Sequence, residues 1–189
     1  MNLHGYTERF DKRDQYSASA AIGIMVGVGS TSSQLVDYSS SQTYMTRNAG
    51  TSWKLLDPEP HLHEIGDHGS VIILVNDKKP VKEIKYTLDQ GRTMMTASFP
   101  SDIKHSIRFR YILTEPNGIS KRFALFGREE ESNQYVGIFV DFLPMWGREC
   151  KDEDYELFYP FGENTCVFGR KVSINLSFSF RFYLTFIIL

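Results

Sequence analysis

The chain's 189 residues are 41% hydrophobic and include 14 Phe and 10 Tyr, enough apolar material for one domain with a sizeable core, which argues against disorder. The aromatic excess favours strand over helix. A formal net charge of −2 excludes the basic footprint of a nucleic-acid binder, and Lys78-Lys79 and Lys121-Arg122 read as solvated pairs on polar connections.

The first residues, Met1-Asn2-Leu3-His4-Gly5-Tyr6-Thr7-Glu8-Arg9, carry early charges and no apolar core, so they are not a signal peptide. Residues 1–20 are polar, with Asp11-Lys12-Arg13-Asp14 as a charged connection. The apolar run Ala21 to Val28 is predicted as a buried inner strand, followed by a Ser-rich loop from Ser30 to Ser41. Strands are expected at Gln42 to Thr46 and Ser52 to Leu56, either side of a turn, and Asp57-Pro58-Glu59-Pro60 closes that unit. A second unit places strands at Leu62 to Ile65 and Ser70 to Val75 around the turn Gly66-Asp67-His68-Gly69. It continues with Glu83 to Leu88 and Thr93 to Phe99 around another turn. A third set comprises Ser106 to Thr114, a Glu115-Pro116-Asn117-Gly118 turn, Lys121 to Phe126, and Tyr135 to Phe142. Strand signals recur about every ten residues without an amphipathic helix, so the expected class is all-β.

The last stretch, Ser173 to Leu189, is apolar but broken by Arg181. It sits at the short limit for a membrane span, and a central charge is costly there. Its Ser/Phe alternation has the period of a strand, so it reads as a strand or sticky tail and as an aggregation liability. Any membrane association would run through this tail.

Two stretches share one pattern. Thr46-Arg47-Asn48-Ala49-Gly50-Thr51-Ser52-Trp53 and Thr87-Leu88-Asp89-Gln90-Gly91-Arg92-Thr93-Met94 both run hydroxyl, x, Asp/Asn, x, Gly, x, Ser/Thr, large apolar. An Asx side chain accepts from backbone N–H groups further along, and Gly supplies the positive φ of a hairpin turn. Ser52 and Thr93 cap the loop, and Trp53 or Met94 tucks back. Asn48 and Asp89 are about 40 positions apart, the length of one four-stranded propeller blade. The expected fold is an incomplete β-propeller of about two to three blades, whereas a closed ring needs roughly four to eight or more.

Few residues invite catalysis. Gly23-Ile24-Met25-Val26-Gly27-Val28-Gly29-Ser30 lacks the Gly-Lys-Ser/Thr ending of a phosphate loop, so its glycines mark close backbone approach in a strand. His61 and His63, with Asp67 and His68 nearby, form no set of metal ligands fixed by spacing. Arg108 and Arg110 share a strand face and Glu129-Glu130-Glu131 form a charge run, but neither resembles the convergent site of a sialidase-like glycosidase. No catalytic residue, cofactor or metal site is assigned. Cys150 and Cys166 match no zinc signature, leaving a disulfide or buried thiols open. Asn175-Leu176-Ser177 is an N-glycosylation acceptor.

From Met1 to about Arg170 the chain resembles the sortilin-type vacuolar protein sorting receptors. The resemblance is carried by Leu3 to Arg9, Ala21 to Gly29, Gly50-Thr51-Ser52-Trp53-Lys54, Gly66-Asp67-His68-Gly69-Ser70 and Phe123-Ala124-Leu125-Phe126-Gly127. It extends through Arg148-Glu149-Cys150 and Cys166-Val167-Phe168-Gly169-Arg170. The family implies a ten-bladed lumenal propeller followed by a cysteine-rich module, binding soluble vacuolar hydrolases as cargo between Golgi, endosome and vacuole. On that basis residues 1–142 are the final blades, 143–170 begin the cysteine-rich module with Cys150 and Cys166, and 171–189 form an unrelated apolar tail. Met94 stands where the turn has Trp, and Asn48 where it has Asp. The expectation is a truncated, non-enzymatic relative, insufficient for sorting by itself, in the Golgi, endosome or vacuole. The alternatives are a non-functional gene product and, third, a sialidase-like glycosidase.

Overall fold

Residues 1–5, 21–145, 151–159, 161–177 and 185–188 are described by a computed structural model. The first sheet contains β1 (Asn2–Leu3), β2 (Met25–Ser30), β3 (Gln42–Thr46) and β4 (Lys54–Asp57), antiparallel in that order. The second repeats this order with β5 (His61–Gly66), β6 (Val71–Asn76), β7 (Glu83–Thr87) and β8 (Met95–Ser98). β9 (Ile107–Leu113), β10 (Arg122–Glu129) and β11 (Tyr135–Asp141) form three strands of a third sheet. Two small ribbons follow, β12 (Tyr155–Phe158) paired with β15 (Ile174–Ser177), and β13 (Cys166–Val167) paired with β14 (Arg170–Lys171). β16 (Thr185–Ile188) then returns to β11 as the fourth strand of the third sheet. The fold is all-β, with three blade-like sheets of a partial propeller.

Stacking of the sheets explains the apolar patterns. β6 sits in the middle sheet, and all six of its residues are buried. Its alternate side chains enter opposite cores, as a pleated strand requires. Ile72 and Leu74 join Val26, Met45, Leu56 and Ile65 between the first and second sheets. Val71, Ile73 and Val75 join Ile84, Phe109, Phe123, Leu125 and Ile138 between the second and third. β10 lies in an outer sheet and alternates instead, with Phe123 and Leu125 buried and Phe126 exposed.

Several strand boundaries move from expectation. The strand expected from Ala21 begins at Met25, because the Ile24 N–H closes a turn on the Ala21 carbonyl. The Gly66-to-Gly69 turn is a short 3-10 turn with left-handed φ at Asp67 and His68. The C-terminal stretch is a strand over residues 185–188, and no helix among the described residues is long and apolar enough to cross a membrane.

The β13–β14 hairpin turns through Phe168 and Gly169, with φ of 49° and 77°. Phe168 is fully exposed, so no packing offsets its left-handed backbone. Phe168→Asn is expected to favour the hairpin by about 0.5–1 kcal/mol, since Asn-Gly suits such a turn. Slower amide exchange at Arg170 and Lys171 checks it; unchanged exchange refutes it.

Candidate functional site

The two predicted turns have the same wiring. In the first, the Thr46 hydroxyl donates to Asn48 Oδ1 (2.9 Å) and accepts from the N–H groups of Asn48 (3.2 Å) and Gly50 (3.0 Å). Asn48 Oδ1 also accepts from the Ser52 N–H (2.8 Å), and its amide donates to the Ser52 hydroxyl (2.9 Å). In the second, Thr87 donates to Asp89 Oδ1 (2.8 Å) and accepts from the Gly91 N–H (2.9 Å). The Thr93 N–H and hydroxyl both donate to the Asp89 carboxylate. Burial pushes the Asp89 carboxyl up, but the bonds from Thr93, Thr87 and Arg92 outweigh it and hold it below the usual range. Trp53 folds back to donate to the Gly50 carbonyl (3.1 Å), a bond that Met94 cannot make. Met94 packs against the apolar core instead.

The turns also touch each other across the boundary between the sheets. Arg47 Nε donates to Gln90 Oε1 (3.0 Å), and Lys54 Nζ donates to the Gly91 carbonyl (2.6 Å). The Arg47 guanidinium lies 5.0 Å from the Phe158 ring centroid, tying β12 to the first turn. Hydrogen bonds within each turn join the pattern residues into two matching hairpins. Sequence reasoning missed the left-handed backbone at Ala49 and Gln90, which precede the two glycines.

The richest polar arrangement lies between the first two sheets and was not predicted. Asp57 and His61 are buried, with Lys85 Nζ 2.5 Å from Asp57 Oδ2. His61 Nδ1 lies 2.8 Å from the Glu59 carbonyl, and Glu59 pairs with Lys79 and with Asn76. A cleft of about 400 Å³ opens beside it, lined by Ser39, Ser40, Ser41, Pro58, Glu59, Pro60, Lys78 and Lys79. Tyr38, from the first sheet's loop, donates to Asp77 (2.8 Å), and Arg108 from β9 lies 3.7 Å from the same carboxylate. This seam ties the three sheets together with paired charges and presents no nucleophile–base pair.

The residues weighed for other chemistry are dispersed. Asp67 is taken by Ser70 and by Lys121 (2.9 Å), and His61 by the Glu59 carbonyl, so the His/Asp group does not converge. Glu131 meets His105, while Arg108 faces Asp77. Lys79 and Lys121 are therefore paired, beyond the solvated role expected of them. Cys166 is exposed, and Cys150 lies outside the described residues. Asn175 is exposed on β15.

Burial lowers the basicity of His4, His61 and His63, the last to about 4. The neutral imidazole is the folded form, so this stability is complete above about pH 6.5 and is lost as pH falls toward about 4. For His63 alone the ceiling is about 3 kcal/mol. His63→Gln is expected to flatten the decline in urea midpoint between pH 7 and 4.5; an unchanged slope refutes the assignment.

Two comparisons bear on what such a stack belongs to. The family described as "Sortilin, neurotensin receptor 3" matches residues 1–109, and its C-terminal counterpart matches residues 114–176. A "Vacuolar protein sorting/targeting protein 10" of Aspergillus clavatus is 38% identical over 180 residues, 90% of this chain and 12% of that protein. Proteins of the same name from Mycosarcoma maydis and Laccaria bicolor are 36% and 34% identical, with the same shares covered. The chain belongs to the sortilin family. It spans 12% of the length of these curated relatives. The first family match ends within β9 and the second begins just after it, so the boundary falls inside the third sheet.

Proposed function

We propose that this chain supplies terminal propeller blades and the first part of the cysteine-rich module of a vacuolar sorting receptor. Such a receptor binds soluble vacuolar hydrolases as protein cargo between Golgi, endosome and vacuole. The observation that carries this reading is the 38% identity over 90% of the chain to a relative named for vacuolar sorting and targeting. Three stacked sheets support it, each in the strand order of a blade. Residues 1–142 are assigned to blades and 143–170 to the start of the cysteine-rich part, with Cys150 and Cys166 as a disulfide pair. The role is binding, without enzymatic chemistry. Three blades cannot close a ring by themselves, so the chain contributes to a cargo surface and does not complete one.

The test is a graft. The matching segment of the Aspergillus clavatus relative is replaced by this chain, and secretion of a soluble vacuolar hydrolase is measured. The chimera is expected to retain the hydrolase inside the cell. A folded chimera that secretes it as a receptor-null strain does overturns the reading. The chain produced alone in a secretory lumen is expected to recover no hydrolase on pull-down; stoichiometric recovery overturns its insufficiency. In the same material, alkylation of both cysteines without reduction overturns the disulfide.

A further inference from the structure

The third sheet is built differently from the other two. In the first two, the third strand passes directly into the fourth through an Asx turn, β3 to β4 and β7 to β8. In the third, the chain leaves β11 at Phe142 through a 3-10 turn at Leu143–Met145. The fourth position is taken instead by residues 185–188, with residues 142–184 between the paired strands. β16 runs antiparallel to β11 in the register Ile138↔Ile188, Phe139↔Ile187, Val140↔Phe186 and Asp141↔Thr185.

Uncovered, β11 would be a hazardous edge. Its sequence, Tyr-Val-Gly-Ile-Phe-Val-Asp, is rich in β-formers and carries one charge at its end. β4, at the edge of the first sheet, begins with the charged Lys54. β16, Thr-Phe-Ile-Ile, has no charged residue. Its hold is also short. β11 pairs with β10 over seven register positions and with β16 over four. Effective concentration is roughly millimolar for a short flexible linker and falls as the connection lengthens, so a strand returning after residues 142–184 competes with outside partners on modest terms.

We propose that the β11 edge of the third sheet is a strand-acceptor site for an extended, uncharged peptide rich in β-branched and aromatic residues, held in this chain by its own residues 185–188. Backbone hydrogen bonds supply the affinity, and alternate side chains select for apolar sequences. The site rests on sheet pairing alone, so loss of the sorting reading leaves it standing.

Two arms test it on the full chain. With Cys150 and Cys166 replaced by Ser, Phe139→Cys with Ile187→Cys is expected to oxidise to a single intramolecular disulfide, since these positions are Cα partners. Failure to cross-link while folded overturns the placement. A fluorescent peptide Phe-Tyr-Leu-Thr-Phe-Ile-Ile-Leu, the sequence of residues 182–189, is expected to exchange into the wild-type chain and not into the cross-linked one. Equal uptake overturns the site. In the second arm, Phe186→Pro with Ile188→Pro is expected to raise amide exchange by about tenfold or more at the alternate residues between Ile138 and Asp141 whose N–H groups face β16. Adding the peptide restores protection, and a peptide carrying the same prolines does not. Unchanged exchange, or no restoration, overturns the proposal. If the proline variant does not fold, the cross-linked comparison decides.

Discussion

Phe142→Ala is expected to destabilise the chain by about 3–5 kcal/mol and lower its melting temperature by about 10 °C. Phe142 is fully buried, immediately after β11. Its ring meets Tyr86 of β7 edge-on at 5.3 Å and Phe123 of β10 at 5.6 Å. One side chain thus touches the second and third sheets, and its N–H donates to the Lys121 carbonyl (2.9 Å). Truncation leaves a cavity at a junction whose backbone is pinned, so little collapse can relieve it. Phe126 is the control. It lies on the opposite face of β10, 39% exposed, with its ring 6.5 Å from that of Phe139. Phe126→Ala is expected to cost about 1 kcal/mol or less. Urea unfolding of both variants decides, and equal costs refute Phe142 as the pin between the two sheets.

What the sequence disclosed depended on how local the determining contacts were. β6 was legible because a strand covered on both faces is an unbroken apolar run. The hairpins at Asn48 and Asp89 were legible because every bond in them spans at most four residues. The third sheet was harder to count, since its fourth strand arrives after residues 142–184 and carries no turn motif. The polar seam was invisible for the same reason. Lys85 and Asp57 meet across separate sheets, and neither belongs to a recognisable pattern. For His61 and His63, spacing reports a shared strand face and no complete ligand set. It does not report that the Glu59 carbonyl already engages His61. Ala49 and Gln90 gave no signal, because the pattern marks the glycine that tolerates positive φ and conceals the neighbour forced into it.

Thr87→Val is expected to cost about 3 kcal/mol, and more than Thr46→Val at about 2 kcal/mol. Both threonines are buried, and Val keeps their shape while removing the oxygen. At Thr87 the change strips the partner from the buried Gly91 N–H and removes a hydroxyl donor to the Asp89 carboxylate. At Thr46 the acceptor is the neutral Asn48 amide, so the lost bond is weaker. Rearrangement cannot readily compensate. Gly91 has φ of 77°, and the Leu56 side chain stands 2.7 Å from where a Cβ would sit, fixing the turn against the first sheet. Asp89→Asn should be tolerated near pH 7, because Asn48 fills the same role with an added amide bond to Ser52. Its effect should appear on the acid side instead. The folded Asp89 carboxyl lies below its ordinary value, so its contribution is present above about pH 4 and lost as pH falls further. Asp89→Asn should flatten that loss while leaving the unfolding free energy at pH 7 within about 1 kcal/mol of wild type. A severe Asp89→Asn defect beside a mild Thr87→Val one would move the centre of the turn from the threonine hydroxyl to the carboxylate.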